Sequence, residues 1–253
     1  IVDTITTESD GVASSKELYL GKYEIREITA PHGMVLNGTI QTVELTYAGQ
    51  EVAITETAGN LYNERQKVKI SLSKVLEQNE LFGIGMNGEL KNIIFGLYAK
   101  TDLVADDGTV IPAGGLIEIM TFDDNGMATV SADLPLGSYY LQERSTDEHY
   151  ILDDTHYEFE FSYGSQETHM VEISVNGGDP IKNDLKYGMI SGRKVDEDGH
   201  VIAGAIFGLF RNDENEYTAE NAYLTAESAQ DGTFKFEKVP FGTWVVREIQ
   251  PAK

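Results

Sequence analysis

The sequence predicts an all-β chain built from tandem β-sandwich domains, and three observations predict it. Short alternating runs rich in Val, Ile, Tyr, Phe and Thr recur along the 253 residues, and a period of two is what a strand with one buried face requires. Asp-Gly and Asn-Gly steps separate them at Asp10-Gly11, Asp107-Gly108, Asn125-Gly126, Asn176-Gly177, Asp198-Gly199 and Asp231-Gly232; these residues reach the left-handed conformations that tight turns need. The third observation is a repeated unit in which an aromatic-bearing strand ends in Glu and is followed by a late Asn and then a Lys.

The first copy of the unit runs Gly21, Tyr23, Ile25, Glu27, then Asn63 and Lys74; the second runs Gly137, Tyr139, Leu141, Glu143, then Asn183 and Lys194; the third has Gly242, Trp244, Val246 and Glu248. Each Glu lies six residues after its Gly, and each Lys eleven after its Asn. A fixed period of this kind marks an array of similar domains. Turns at Asp10-Gly11, Asn125-Gly126 and Asp231-Gly232 align across the copies, and Ile93-Ile94-Phe95-Gly96-Leu97 is echoed by Ala205-Ile206-Phe207-Gly208-Leu209. The alignment divides the chain into residues 1–65, a partial domain lacking its first strands, 66–186, a complete domain, and 187–253, a partial domain lacking its last strands.

The middle copy is longer between its Lys and its Glu strand than the last, which puts insertions at 81–91 and around 102–115. The short interval from Asn183 to Lys194 leaves no room for a flexible tether, so neighbouring domains are expected to join almost strand to strand, as a rod. Helical periodicity is nearly absent; only 217–224 reads as a turn or two of helix.

Composition narrows the function. A formal net charge of -23, from 42 acidic and 19 basic residues, gives an anionic surface that repels nucleic acid and anionic lipid. No apolar run is long enough to span a membrane. The chain has no Cys, which excludes disulfides, thiolate metal sites and a Cys nucleophile. An extracellular array without disulfides needs another means of resisting unfolding.

Strand parity supplies one. Val68, Ile70, Leu72 and Lys74 share a face; so do Tyr139, Leu141 and Glu143, and Ile181, Asn183 and Leu185. A Lys, a Glu and an Asn are thereby directed into an apolar interior, where each alone is costly, so they are expected to sit together. Burial favours the neutral amine of a lysine and the protonated form of a carboxyl. A neutral amine is a nucleophile, and a carboxyl beside it can polarise an amide carbonyl and relay a proton to the departing nitrogen. The expected outcome is an amide between Lys74 Nζ and Asn183 Cγ with loss of ammonia, promoted by Glu143, in a single-turnover self-reaction. Lys67 and Lys69 have the opposite parity. The bland alternative for each residue is an ordinary strand-end salt bridge, and recurrence at fixed spacing argues against it.

The openings at Leu72-Ser73-Lys74-Val75 and Gly192-Arg193-Lys194-Val195, the Phe-Gly-Leu strands, the Glu27 and Glu248 motifs and the Asn strands together resemble the B-type repeat domains of Gram-positive surface proteins. That family holds the collagen-adhesin B region and the Cna-B-like, SpaA-like domains of sortase-assembled pilins. The resemblance implies a transthyretin-like or inverse immunoglobulin-like sandwich, an intramolecular isopeptide bond joining first and last strands, and a stalk role outside the cell, held to the wall through other parts of the parent protein. Carried over by position, the bond residues are Lys74, Asn183 and Glu143, whereas Glu27 with Asn63 and Lys194 with Glu248 are incomplete half-sites. After Glu143 the sequence reads Arg144-Ser145-Thr146-Asp147 instead of the Ile28-Thr29-Ala30-Pro31 that follows Glu27, a departure at the strand exit.

No cofactor or metal is expected. Asp123-Asp124-Asn125-Gly126 and Asp196-Glu197-Asp198-Gly199 read as hairpin turns rather than calcium loops, lacking the later Glu of such a loop; calcium at domain junctions stays open. His32, His149, His156, His169 and His200 lack zinc-type pair spacing, and no nucleophile elbow or phosphate loop marks a turnover enzyme. Expected partners are neighbouring domains of the same protein. The competing reading is an adhesive module for host matrix protein or glycan, using the middle insertions and exposed aromatics such as Tyr157 or Tyr163; a sandwich accessory to a catalytic domain is a further alternative.

Overall fold

The computed structural model describes residues 1–104 and 108–252. Among these, regular structure is almost entirely strand, with two short 3-10 turns. The predicted Asp107-Gly108 turn has its Asp107 outside the described residues. Among the described residues no helix is long and apolar enough to cross a membrane. In the first segment β1 (Gly21–Ile25) pairs antiparallel with β2 (Gln41–Leu45).

The middle segment forms a two-sheet sandwich. It opens with β3 (Lys67–Leu76) and continues with β4 (Ile94–Ala99), β5 (Leu103–Val104), β6 (Val110–Ile111), β7 (Leu116–Thr121), β8 (Met127–Thr129), β9 (Gly137–Ser145), β10 (Tyr157–Phe161), β11 (Met170–Ser174) and β12 (Ile181–Asn183). One sheet runs β10-β9-β4-β7, all antiparallel. The other is built around β3, which pairs parallel with β11 along its first half and with β12 along its second, and antiparallel with β8. The Asn176-Gly177 turn therefore links two strands that both lie beside β3, with Asn176 at φ 57 and Gly177 at φ 66. The insertion after β3 forms a small bridge between Asn79 and Ile84, and the later one carries the β5–β6 hairpin.

The core between the sheets follows parity. Ile70 and Leu72 from β3, Phe95 and Leu97 from β4, Tyr139 and Leu141 from β9 and Ile181 from β12 are all buried. Burying each such side chain contributes about 1.5–3 kcal/mol, which fixes the register, since a one-residue slip would turn the apolar set outward. Lys67 and Lys69 face solvent, as their opposite parity requires.

The last segment contains β13 (Tyr187–Arg193), β14 (Ile206–Arg211), β15 (Leu224–Glu227), β16 (Thr233–Pro240) and β17 (Trp244–Gln250). β13 pairs with β16, and β14 lies between β15 and β17. A smaller core of Ala205, Phe207, Leu209, Phe236 and Val239 lies between them. Residues 184–186 alone separate β12 from β13. The helical turn read at 217–224 reduces to a single closure, Ala222 N–H to the Thr218 carbonyl. In that connection Glu214 Oε1 accepts the Asn215 and Glu216 amides and Asn221 Nδ2 donates to the Glu216 carbonyl, local bonds that compete with a helix.

Candidate functional site

Three strands converge on one buried cluster. β3 presents Lys74, β12 presents Asn183 from the adjacent parallel position, and β9 presents Glu143 from the facing sheet. Lys74 is 2 %, Glu143 3 % and Asn183 1 % exposed. Side chains with this much polarity are rarely buried unless they are paired. Here Glu143 holds both partners: Lys74 Nζ lies 3.5 Å from Oε1, and Asn183 Nδ2 donates to Oε2 at 2.9 Å. Phe95, whose backbone pairs with Glu143 on the neighbouring strand, puts its ring 5.5 Å from the amine.

The pairing is incomplete. Lys74 Nζ, Glu143 Oε1 and Asn183 Oδ1 are all buried without a hydrogen bond. Burial pushes the Lys74 amine below the ordinary lysine pKa, outweighing the attraction of Glu143 and Asp153. Asn183 Nδ2 also donates to the Ile151 carbonyl at 2.5 Å. Two acceptors on its nitrogen side set the amide's orientation and leave its carbonyl oxygen unpaired. The cluster thus combines a depressed amine, a carboxyl bridging amine and amide, and an amide whose nitrogen is held by acceptors.

The other two copies hold parts of the same arrangement. In the first, Asn63 Nδ2 donates to Glu27 Oε2 at 2.6 Å and to the Val35 carbonyl at 2.9 Å, as Asn183 does to Glu143 and Ile151. In the last, Lys194 Nζ donates to Glu248 Oε2 at 2.8 Å, with both side chains partly exposed. The apolar face expected on β17 is open there, since Val246 is 37 % exposed and no Asn-bearing strand covers it among the described residues.

Three supports for these positions carry no sequence signal that parity could detect. First, the carbonyl of a turn glycine accepts from the lysine strand: Lys74 N–H donates to the Gly126 carbonyl at 2.8 Å, and Lys194 N–H to that of Gly232 at 2.8 Å. Secondly, the strand aromatic donates to the carbonyl four residues earlier in every copy, Tyr23 to Tyr19, Tyr139 to Pro135 and Trp244 to Pro240. The third support is a segment after the first two Glu strands: the amides of Asn37 and Asp153 donate to Glu27 Oε2 and Glu143 Oε2 at 2.6 and 2.7 Å. A comparison of 35–39 with 151–155 could have found this last one, because Val35-Leu36-Asn37-Gly38-Thr39 and Ile151-Leu152-Asp153-Asp154-Thr155 share an aliphatic-Leu-Asx-any-Thr pattern.

The tyrosines singled out as exposed are engaged within the chain. Tyr157 is half-buried and donates to Asp153 Oδ2 at 2.5 Å; Tyr163 packs against the His32 ring at 4.7 Å and donates to the Met34 carbonyl. Both side chains are half-buried rather than exposed, and their hydroxyls find partners within the chain. Among the described residues one group of metal-ligating types converges, Asp196, Asp198 and His200, all exposed. Asp196 Oδ1 already accepts the amides of Asp198 and His200, the bonding of a hairpin turn.

Residues 1–58, 84–176 and 188–253 match the SpaA prealbumin-like fold domain. The chain belongs to that family. Among solved structures, the Bacillus anthracis TIE protein superposes over 96 % of this chain at 21 % identity with a TM-score of 0.65, and this chain spans 39 % of it. A streptococcal ancillary pilin matches over 99 % of this chain and 72 % of its own, at 20 % identity and a TM-score of 0.32. The C-terminal fragment of the pilus adhesin SpaC from Lactobacillus rhamnosus GG matches over 74 % and 77 %, at 15 % identity and a TM-score of 0.38. No curated protein sequence matches. In this SpaA-family chain Lys74 and Asn183 lie on the first and last strands of the middle sandwich, which run side by side, and Glu143 faces them from the other sheet.

Proposed function

We propose that the chain is a stalk segment of a Gram-positive cell-surface pilin or adhesin, and that its middle sandwich locks itself with an isopeptide bond between Lys74 and Asn183. The observation that carries this reading is the buried cluster in which Glu143 bridges a depressed-pKa amine and an oriented amide. The neutral Lys74 amine attacks Asn183 Cγ, and a proton passes from Nζ through the Glu143 carboxyl to Nδ2. The Cγ–Nδ2 bond then breaks, ammonia leaves, and Glu143 is restored. Nothing is oxidised or reduced, and the step occurs once per chain, so the protein is not a turnover enzyme.

The bond's position gives its use. It closes a loop of about 110 residues, which by the chain-entropy estimate for cross-links stabilises by about 4–5 kcal/mol. Since β3 and β12 are the first and last strands of the sandwich, a pull on the chain ends passes through the covalent bridge and leaves the core unloaded. The strand-to-strand passage from β12 to β13 suits a rod of consecutive domains displayed outside the cell, with neighbouring domains of the same protein as its partners.

Intact mass tests the chemistry. The parent protein is expected to lack the mass of one ammonia; Lys74→Ala, Asn183→Ala and Glu143→Ala restore it, and Lys69→Ala does not. Full mass in folded parent protein would rule the bond out.

A further inference from the structure

We propose that the segment 151–155 is a strap that aligns the Lys74–Asn183 coupling, with Asp153 as its positioning residue; this rests on the isopeptide reading above. The strap crosses the cluster between β9 and β10 and touches both groups on the far side from the lysine. Its Ile151 carbonyl holds one hydrogen of the leaving nitrogen, Asn183 Nδ2, at 2.5 Å, and its Asp153 amide holds Glu143 Oε2 at 2.7 Å. With the other Nδ2 hydrogen on Glu143 Oε2, the leaving nitrogen is held at both hydrogens. Glu143 Oε1 alone is then left toward the amine. A carboxylate that accepts at one oxygen from a fixed amide cannot swing away from the attacking group.

The Asp153 side chain keeps the strap in this shape. Its Oδ1 accepts the Thr155 amide at 3.0 Å, and its Oδ2 accepts the Tyr157 hydroxyl at 2.5 Å. The first copy repeats the strap around a different Glu–Asn pair: the Val35 carbonyl meets Asn63, the Asn37 amide meets Glu27, and Asn37 Oδ1 accepts the Thr39 amide at 2.8 Å. The strap therefore accompanies the Glu–Asn pair with Asp in one copy and Asn in the other. The hydrogen-bonding role needs only the side-chain oxygen, which both residues supply.

The substitution between copies separates shape from charge. The charged groups acting on the Lys74 amine are Glu143 from β9 and Asp153 from the strap, with the Phe95 ring of β4 beside it; the Tyr157 hydroxyl of β10 is bonded to Asp153, and Lys182 and Asp184 on the β12 side point outward. Asp153 stays ionised, its carboxyl held below the usual range by hydrogen bonds from Thr155 and Tyr157 despite partial burial. Its negative charge favours the ammonium form of Lys74. Removing the charge while keeping the turn lowers the pH at which the amine becomes available.

Pulse synthesis of the full chain by cell-free translation, with a chase at a series of pH values and analysis by intact mass, measures the coupling rate. Asp153→Asn is expected to couple fully, with its pH-rate profile displaced to lower pH than the parent's. Asp153→Ala, which loses both the charge and the turn, is expected to show the same displacement and to couple roughly tenfold more slowly than Asp153→Asn at every pH, and Asp154→Ala to couple at the parent's rate. An Asp153→Asn profile that coincides with the parent's, or an Asp153→Ala rate equal to that of Asp153→Asn, overturns the strap. Absence of coupling in the parent overturns the isopeptide reading instead.

Discussion

Lys74 is the residue on which the energetics of the middle sandwich turn. Before coupling, its folded-state pKa lies below the 10.5 of a free lysine because burial outweighs the attraction of Glu143 and Asp153. Between those two values the unfolded chain holds a proton that the folded chain has released. Stability of the uncoupled protein therefore rises with pH across that window, and the penalty is greatest below the folded pKa. Asn183→Ala keeps the amine but cannot couple. Its urea midpoint, followed by near-ultraviolet circular dichroism below the range of tyrosine ionisation, is expected to climb with pH more steeply than that of Lys74→Met/Asn183→Ala. The parent, whose amine the proposed bond would consume, should follow the double variant's slope; equal slopes for all three would remove the depressed amine from the account.

At the scale of elements, the turn that precedes β8 holds the Lys74 strand in place. The aligned turn of each copy has the same form, closing Glu8 on Val12, Asp123 on Met127 and Ala229 on Thr233, each with a glycine at φ 72–79. At Gly126 two demands coincide: the backbone is left-handed, and a Cβ would stand 2.3 Å from the Lys74 carbonyl oxygen. Gly126→Ala is expected to cost about 1–2 kcal/mol from the left-handed backbone alone. It should also displace Lys74, leaving a measurable uncoupled fraction in the intact mass. Gly177→Ala is the matched comparison, with φ 66 and nothing within 4 Å of the added carbon. Its coupling is expected to remain complete. Comparable uncoupled fractions in both variants would show that the contact with Lys74 is irrelevant.

Across the whole molecule, side chains from the middle segment reach both neighbours. Buried Gln66 binds the loop after β10 through Ser165, Thr168 and Gly164, and Gln166 of that loop returns to Ala30 and Leu36 of the first segment. At the other end Glu77 accepts the Leu185 amide and the Tyr187 hydroxyl. From the insertion after β3, Phe82 packs 5.1 Å from Trp244 and 5.7 Å from Tyr223, with the Arg211 guanidinium 5.5 Å from its ring. These aromatic and cation–π contacts are worth about 1–2 kcal/mol together, enough to restrict a short linker. Trp244 is the single tryptophan and so reports on this junction directly. Phe82→Ala should shift its emission to the red and increase acrylamide quenching while leaving the ammonia deficit unchanged; an unaltered spectrum would mean that the ring does not cover the indole in solution.

The period-two pattern by itself determined the all-β class and which residues of β3, β9 and β12 face inward, because alternation leaves a strand only two faces to choose between. It could not show that Glu143 arrives from the opposite sheet, that the Ile151 carbonyl and Asp153 amide hold the far side of the cluster, or that Gly126 abuts Lys74. Nor could it show that Tyr157 and Tyr163 spend their hydroxyls inside the chain, or that Phe82 crosses to Trp244. Those contacts join residues remote in sequence, several through backbone groups that every residue type carries. Only the packing of one sheet on another, and of one segment on the next, decided them.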